Sequence, residues 1–146
     1  MIYETYSPEE TKQIAVNMGI NSNVGDIFCL SGDLGVGKTL FSKGFAGGLG
    51  IDEREVTSPT FTIINQYNGR LPMYHFDVYR ITDIEEMDDT GYEDCFFGEG
   101  VCLVEWAEMV KDIIPENAVW ILIEKDLEKG ENYRKITIRG ENIWLY

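Results

Sequence analysis

Apolar positions in this chain fall in short runs separated by polar punctuation, and the period of each run predicts its element. Ile2–Tyr6 opens as a short strand. Ser7-Pro8-Glu9-Glu10 then reads as a helix start, with Ser7 as cap, Pro8 in the first turn and Glu10 closing a capping box. Thr11, Ile14 and Met18 line the inner face of that helix, and Gly19 and Asn21 are its candidate stops. Asp26–Leu30 is a near-continuous apolar run bounded by Gly25 and Ser31-Gly32, the pattern of a strand buried on both faces. A helix is predicted from Lys38 to about Leu49, ended by Gly50. Phe61–Tyr67 and Leu71–Tyr79 are β-rich runs flanking Asn68-Gly69, which predicts a hairpin through a type I′ turn. Asp83–Asp89 reads as a short exposed acidic helix, Val101–Val104 as a second buried strand, and Ala107–Ile113 as a helix stopped before Pro115. Val119–Glu124 and Arg134–Arg139 finish as strands, joined by a hairpin through Glu128–Asn132.

This order predicts an α/β fold: a mainly parallel central sheet, one antiparallel hairpin insertion, and helices on both faces. At 146 residues the chain has room for one domain, taken as 1–146. No repeat or low-complexity segment interrupts it. The formal net charge of −14 repels phosphate backbones, so direct tight nucleic-acid binding and docking on an anionic membrane are not expected. A partner surface should be basic. The longest apolar run, Ala118–Ile123, is far short of the ~20 residues that span a bilayer. The first residues carry no signal-peptide pattern. Three cysteines, Cys29, Cys95 and Cys102, without a C-x-x-C pair read as reduced thiols in a cytoplasmic protein. His75 is the only histidine, which excludes a multi-histidine zinc site.

The sharpest chemistry is Gly32-Asp33-Leu34-Gly35-Val36-Gly37-Lys38-Thr39, a full match to G-x-x-x-x-G-K-[ST] between a buried strand and a helix. Gly35 and Gly37 let successive N–H groups turn toward an anion, and the helix start adds its positive dipole end. Lys38 would reach the outer phosphates and the Thr39 hydroxyl would ligate Mg²⁺. The expected fold is thus P-loop NTPase-like and the expected substrate ATP. Val101-Cys102-Leu103-Val104-Glu105 ends a buried strand in an acid, a Walker B pattern that makes Glu105 the second metal residue. Trp106 is either a core aromatic or a face for the base.

The class of enzyme is narrowed by what is missing. No [NT]-K-x-D tetrad specifies guanine, and Asp88-Asp89-Thr90-Gly91 follows an acidic helix rather than a strand. A small-molecule kinase needs an arginine-bearing lid, and this short chain has few arginines. A minimal ATPase or a nucleotide-gated adaptor remains, with the kinase as the other alternative. Thr57-Ser58-Pro59-Thr60-Phe61 is either a switch loop or a plain connection. In His75-Phe76-Asp77-Val78-Tyr79-Arg80, His75, Asp77 and Tyr79 share one face of a strand. Asp77 either positions a water opposite the γ-phosphate or pairs with Arg80.

Together these segments resemble the TsaE family, small P-loop ATPases of bacterial tRNA threonylcarbamoyladenosine synthesis. The resemblance rests on Gly32–Thr39, Thr57–Phe61, His75–Arg80 and Val104-Glu105-Trp106, in that order, and runs from Pro8 to about Pro115. Val36 stands where the family usually has Ala, and Leu40 where it often has Thr. The resemblance implies Mg²⁺-dependent ATP hydrolysis in support of threonylcarbamoyl transfer by TsaD-like and TsaB-like partners. It implies that Leu34, Gly35, Val36, Gly37, Lys38 and Thr39 hold the phosphates, and that Thr39 and Glu105 hold the ion. Asp77 would position the attacking water, Thr60 sense the γ-phosphate, and Trp106 stack on the base. Thr11 would form a further wall, and Arg134 a phosphate or partner contact. Turnover should be slow alone and faster with the partners.

Overall fold

The computed structural model describes residues 1–33, 35–57 and 64–140. Its strands are β1 (Ile2–Thr5), β2 (Ile27–Ser31), β3 (Ile64–Asn68), β4 (Pro72–Asp77), β5 (Val101–Glu105), β6 (Val119–Glu124) and β7 (Arg134–Arg139). Its α-helices are α1 (Pro8–Asn21), α2 (Lys38–Gly48) and the single turn α3 (Tyr92–Phe96). All seven strands form one sheet in the order β1-β7-β6-β2-β5-β4-β3. Among the described residues, no helix is long and apolar enough to cross a membrane.

The fold is α/β as expected, but the sheet is mixed rather than mainly parallel. β2 runs parallel to β5 and β6, and β4 parallel to β5. β1–β7, β6–β7 and β3–β4 are antiparallel. The reason is loop length. Parallel neighbours need a crossover of a dozen or more residues, and the short β3–β4 and β6–β7 links allow only hairpins. The two strands that are apolar up to their last residue, β2 and β5, lie side by side at the centre, where both faces are covered.

One face of the sheet packs Phe28, Leu30, Leu103 and Ile121 against Ala15, Met18, Phe41 and Phe45 of α1 and α2. The opposite face packs Cys29, Phe76 and Val104 against Met87, Phe96 and Val110. These come from α3 and from two 3₁₀ segments, Ile84–Thr90 and Ala107–Ile113. Both segments were expected to be helical, and both are 3₁₀ where they pack on the sheet. The Ala107–Ile113 segment is kinked at Val110, whose φ/ψ are −128° and 31°.

Local details correct three expectations. Ser7 caps α1 by accepting the Glu10 N–H at 3.1 Å, as expected, but the helix passes through Gly19 to Asn21. Gly19 is a contact glycine, since a Cβ there would fall on the Phe45 carbonyl of α2. Asn68-Gly69 does not form a type I′ turn: Asn68 pairs with Pro72, leaving a three-residue loop, and Gly69 is absent from the positive-φ residues. A Cβ on Gly69 would strike the Leu49 carbonyl, so this loop is shaped by its approach to the end of α2. Arg70 follows, donating to the carbonyls of Gly19, Ile20 and Ser22 and so closing the C-terminal end of α1. Strand β4 stops at Asp77, which puts Tyr79 beyond the strand face it was expected to share.

Candidate functional site

The Gly32–Thr39 loop leaves the central strand β2 and enters α2, as its spacing requires. Leu34 lies outside the described residues. Gly35 and Gly37 have φ of 82° and 105°, a region that side-chain-bearing residues rarely adopt. Gly37 is the N-cap of α2, and no side chain caps the helix. The first-turn N–H groups of α2 therefore face the loop without a side-chain acceptor, the arrangement that binds anions. Thr39 is exposed on that same turn.

Lys38 is 8% exposed. Its Nζ donates to the Gly32 carbonyl at 2.8 Å and lies 3.6 Å from the centroid of the Trp106 ring. Burial pulls its pKa below the ordinary lysine value, and the negative charges of Glu105, Glu108, Asp77 and Asp33 oppose that pull. Four carboxylates thus act electrostatically on one buried cation at the mouth of the loop. Two more cations reach the loop backbone. Arg134 Nε donates to the Val36 carbonyl at 2.8 Å, tying β7 to the loop. Lys125 Nζ lies 3.6 Å from where a Cβ on Gly35 would stand.

Parallel register sets the acids. Glu105, at the end of β5, is opposite Leu30 of β2 on one side and Asp77 of β4 on the other. His75, Asp77, Leu103 and Glu105 alternate onto the α2 side of the sheet, because Leu103 belongs to the core beneath α1 and α2. Glu105 is 5% exposed and accepts a hydrogen bond from His75 Nε2 on Oε2 at 2.7 Å. Asp77 is half-buried, and its Oδ1 accepts the Tyr79 N–H at 3.0 Å. The ion pairs among the described residues do not include Asp77 with Arg80.

Trp106 follows Glu105 with φ of 62°, the one positive φ among the described non-glycine residues. This turn swings its ring over Lys38 and against Tyr79, whose ring centroid is 4.8 Å away. Beside the loop, Gly32, Asp33, Trp106, Trp120 and Lys125 help line a cleft of about 1020 Å³.

The structure therefore gathers Gly35, Val36, Gly37, Lys38, Glu105, Trp106 and Arg134 around the loop, with Asp77 and Thr39 at its edge. Thr11 is elsewhere engaged. It is buried, and its hydroxyl bonds Thr5 Oγ1 at 2.6 Å and the Ser7 carbonyl at 3.3 Å. Thr60 lies outside the described residues, as do Ser58, Pro59 and Phe61 of its segment. Two residues escaped the sequence reading as members of the site. His75 stood out as the lone histidine and as one position of the His75–Arg80 segment, and Lys125 as the residue after a strand, but neither was given a role in the site. Both needed the strand order to bring them in.

Residues 5–136 match the family described as threonylcarbamoyl adenosine biosynthesis protein TsaE. A Bacillus subtilis protein named tRNA threonylcarbamoyladenosine biosynthesis protein TsaE is 50% identical over 136 residues, covering 92% of this chain and 82% of its own. A Treponema pallidum protein of the same name is 45% identical over 132 residues, covering 90% of this chain and 95% of its own. The crystal structure of YdiB from Bacillus subtilis superposes with a TM-score of 0.78 at 42% identity, over 96% of this chain and 84% of that one.

Proposed function

The chain belongs to the TsaE family, with a role in tRNA threonylcarbamoyladenosine biosynthesis, and from that premise we propose that it is a magnesium-dependent ATPase with a P-loop NTPase-like fold. One observation carries the reading: an uncapped helix start behind two left-handed glycines, with a buried lysine held on the loop's own Gly32 carbonyl. Backbone N–H groups from Leu34 to Thr39 hold the phosphates. Lys38 turns from the Gly32 carbonyl to the outer phosphates, and this frees the Trp106 ring to stack on the base. Arg134 fixes the loop through Val36. Thr60 senses the γ-phosphate, while Thr11, buried against Thr5 and the Ser7 carbonyl, takes no part.

The donors suit magnesium. The Thr39 hydroxyl and the Glu105 carboxylate are hard oxygen ligands, few enough to leave room for phosphate oxygens and water. When bound, Mg²⁺ neutralises charge on the β- and γ-phosphate oxygens. Asp77, half-buried beside Glu105, orients the attacking water and accepts its proton. Among the described residues the arginine that bonds the loop, Arg134, is held on the Val36 carbonyl rather than offered to the phosphates, so turnover is slow alone and rises with TsaD-like and TsaB-like partners in the cytoplasm.

The test is phosphate release from ATP and Mg²⁺, with and without the partners. Release without a phosphorylated acceptor is expected. Binding without release would favour a nucleotide-gated adaptor. Lys38→Ala should abolish nucleotide binding. Asp77→Asn should leave affinity within about twofold and lower turnover by about 10²-fold or more, the scale of a general base. Equal rates with and without partners would refute the stimulation.

A further inference from the structure

We propose that His75 is a positioning residue for Glu105, holding that carboxylate in the one orientation in which it can receive a magnesium-bound nucleotide; this rests on the ATPase reading above. His75 is 1% exposed and Glu105 is 5% exposed, so neither group has bulk water to satisfy it. The 2.7 Å bond from Nε2 to Oε2 is the hydrogen bond that the structure gives the ring. Nδ1 is buried with no hydrogen-bond partner among the described residues. Buried ring nitrogens are normally both satisfied. A histidine that leaves one nitrogen orphaned, while aiming the other at a carboxylate, is placed for that carboxylate.

Backbone register explains the aim. His75 is opposite Leu103, two residues before Glu105, and both side chains lie on the α2 side of the sheet. The imidazole therefore approaches Glu105 from within the sheet and binds Oε2. Oε1 is left for a cation or a metal-bound water at the strand end, where the loop and Lys38 lie. A glutamate has three side-chain torsions to fix. Fixing them in advance removes that ordering from the binding step, and outer partners of metal ligands are typically worth 10–100-fold in affinity. A merely structural pair would stabilise the fold and leave metal affinity unchanged.

The experiment uses the full chain, ADP and Mn²⁺ as a spectroscopic stand-in for Mg²⁺, with bound Mn²⁺ counted by electron paramagnetic resonance. His75→Gln can put an amide N–H near the position of Nε2, and His75→Asn puts it near Nδ1. We expect His75→Gln to bind Mn²⁺ within about threefold of wild type, and His75→Asn and His75→Leu to bind about 10–100-fold more weakly. Affinity for ADP in excess chelator should be unchanged in all three. Circular dichroism identifies the folded variants. Should His75→Leu not fold, the Gln–Asn pair decides the matter. Unchanged Mn²⁺ affinity in folded His75→Asn, or equal loss in Gln and Asn, overturns the positioning role. Failure of the wild type to bind Mn²⁺ with ADP overturns the magnesium–nucleotide reading instead.

Discussion

Gly37 carries the α2 N-cap at a φ of 105°, and nothing lies within 4 Å of a Cβ built there. Substitution by alanine would meet no clash, only backbone strain of roughly 1–2 kcal/mol. For a chain of this size that is a fall in melting temperature of roughly 3–8 °C. The functional loss should be larger, because relieving the strain re-aims the loop N–H groups. We expect Gly37→Ala to weaken ATP-analogue binding at least tenfold by calorimetry while melting only slightly earlier. Cys29 tests burial instead. Loss of hydration, with the nearby charge of Glu108, pushes its thiol up to about 12. Its reactive thiolate is populated only as pH rises through that value, so at pH 8 it is a protonated thiol. Cys102 is shifted in the same direction by the same cause. A thiol-disulfide reagent at pH 8 should leave both untouched in the native protein and release three equivalents after denaturation. Rapid native release of two or more equivalents would contradict this. At this scale the glycine-rich loop was legible because its eight residues are consecutive and its geometry is a backbone property. The His75–Glu105 bond was not, because nothing in the sequence says that β4 lies beside β5.

Elements were legible where a local signal sets them and illegible where a neighbour does. Ser7-Pro8 starts α1 because a cap and a fixed φ act within one turn. The β2 and β5 runs announced double burial because every side chain in them is apolar, apart from the terminal Ser31 and Glu105. The 3₁₀ form of Ile84–Thr90 and Ala107–Ile113 follows from packing, and so does the run of α1 through Gly19. Gly19 and Gly48 let α1 and α2 touch backbone to backbone: a Cβ on Gly19 would fall on the Phe45 carbonyl, and one on Gly48 on the Val16 carbonyl. Alanine's higher helix propensity would favour Gly19→Ala by up to ~1 kcal/mol in an isolated helix. Overpacking against main-chain atoms costs about 1–3 kcal/mol or more and should win. We expect Gly19→Ala to lower the denaturant midpoint with little change in slope, and the double variant with Gly48→Ala to fall further. A rise in midpoint would show that the helices separate freely and that the close approach is incidental.

For the whole molecule, the net charge of −14 sets how it meets a partner. Acidic side chains cluster on exposed segments, among them Glu85, Glu86, Asp88 and Asp89 around the Ile84–Thr90 turn. The loop mouth keeps its own balance through Lys38, Lys125 and Arg134. Such a body gains little by approaching tRNA directly, since like charges repel at long range. Docking on a basic face of a TsaD-like or TsaB-like protein would be accelerated by the same field, and this chain would then compete with tRNA for that face. Screening decides whether the field matters, because the Debye length shrinks from about 10 Å at 0.1 M salt to about 3 Å at 1 M. Affinity for the partner assembly should therefore fall about tenfold or more between low and moderate salt, mainly through slower association. The affinity of the loop for ATP, set by contacts within a few ångströms, should change far less over the same range. Partner affinity that is flat with salt would place the interface on uncharged surface and leave the acidic face with a role in solubility alone.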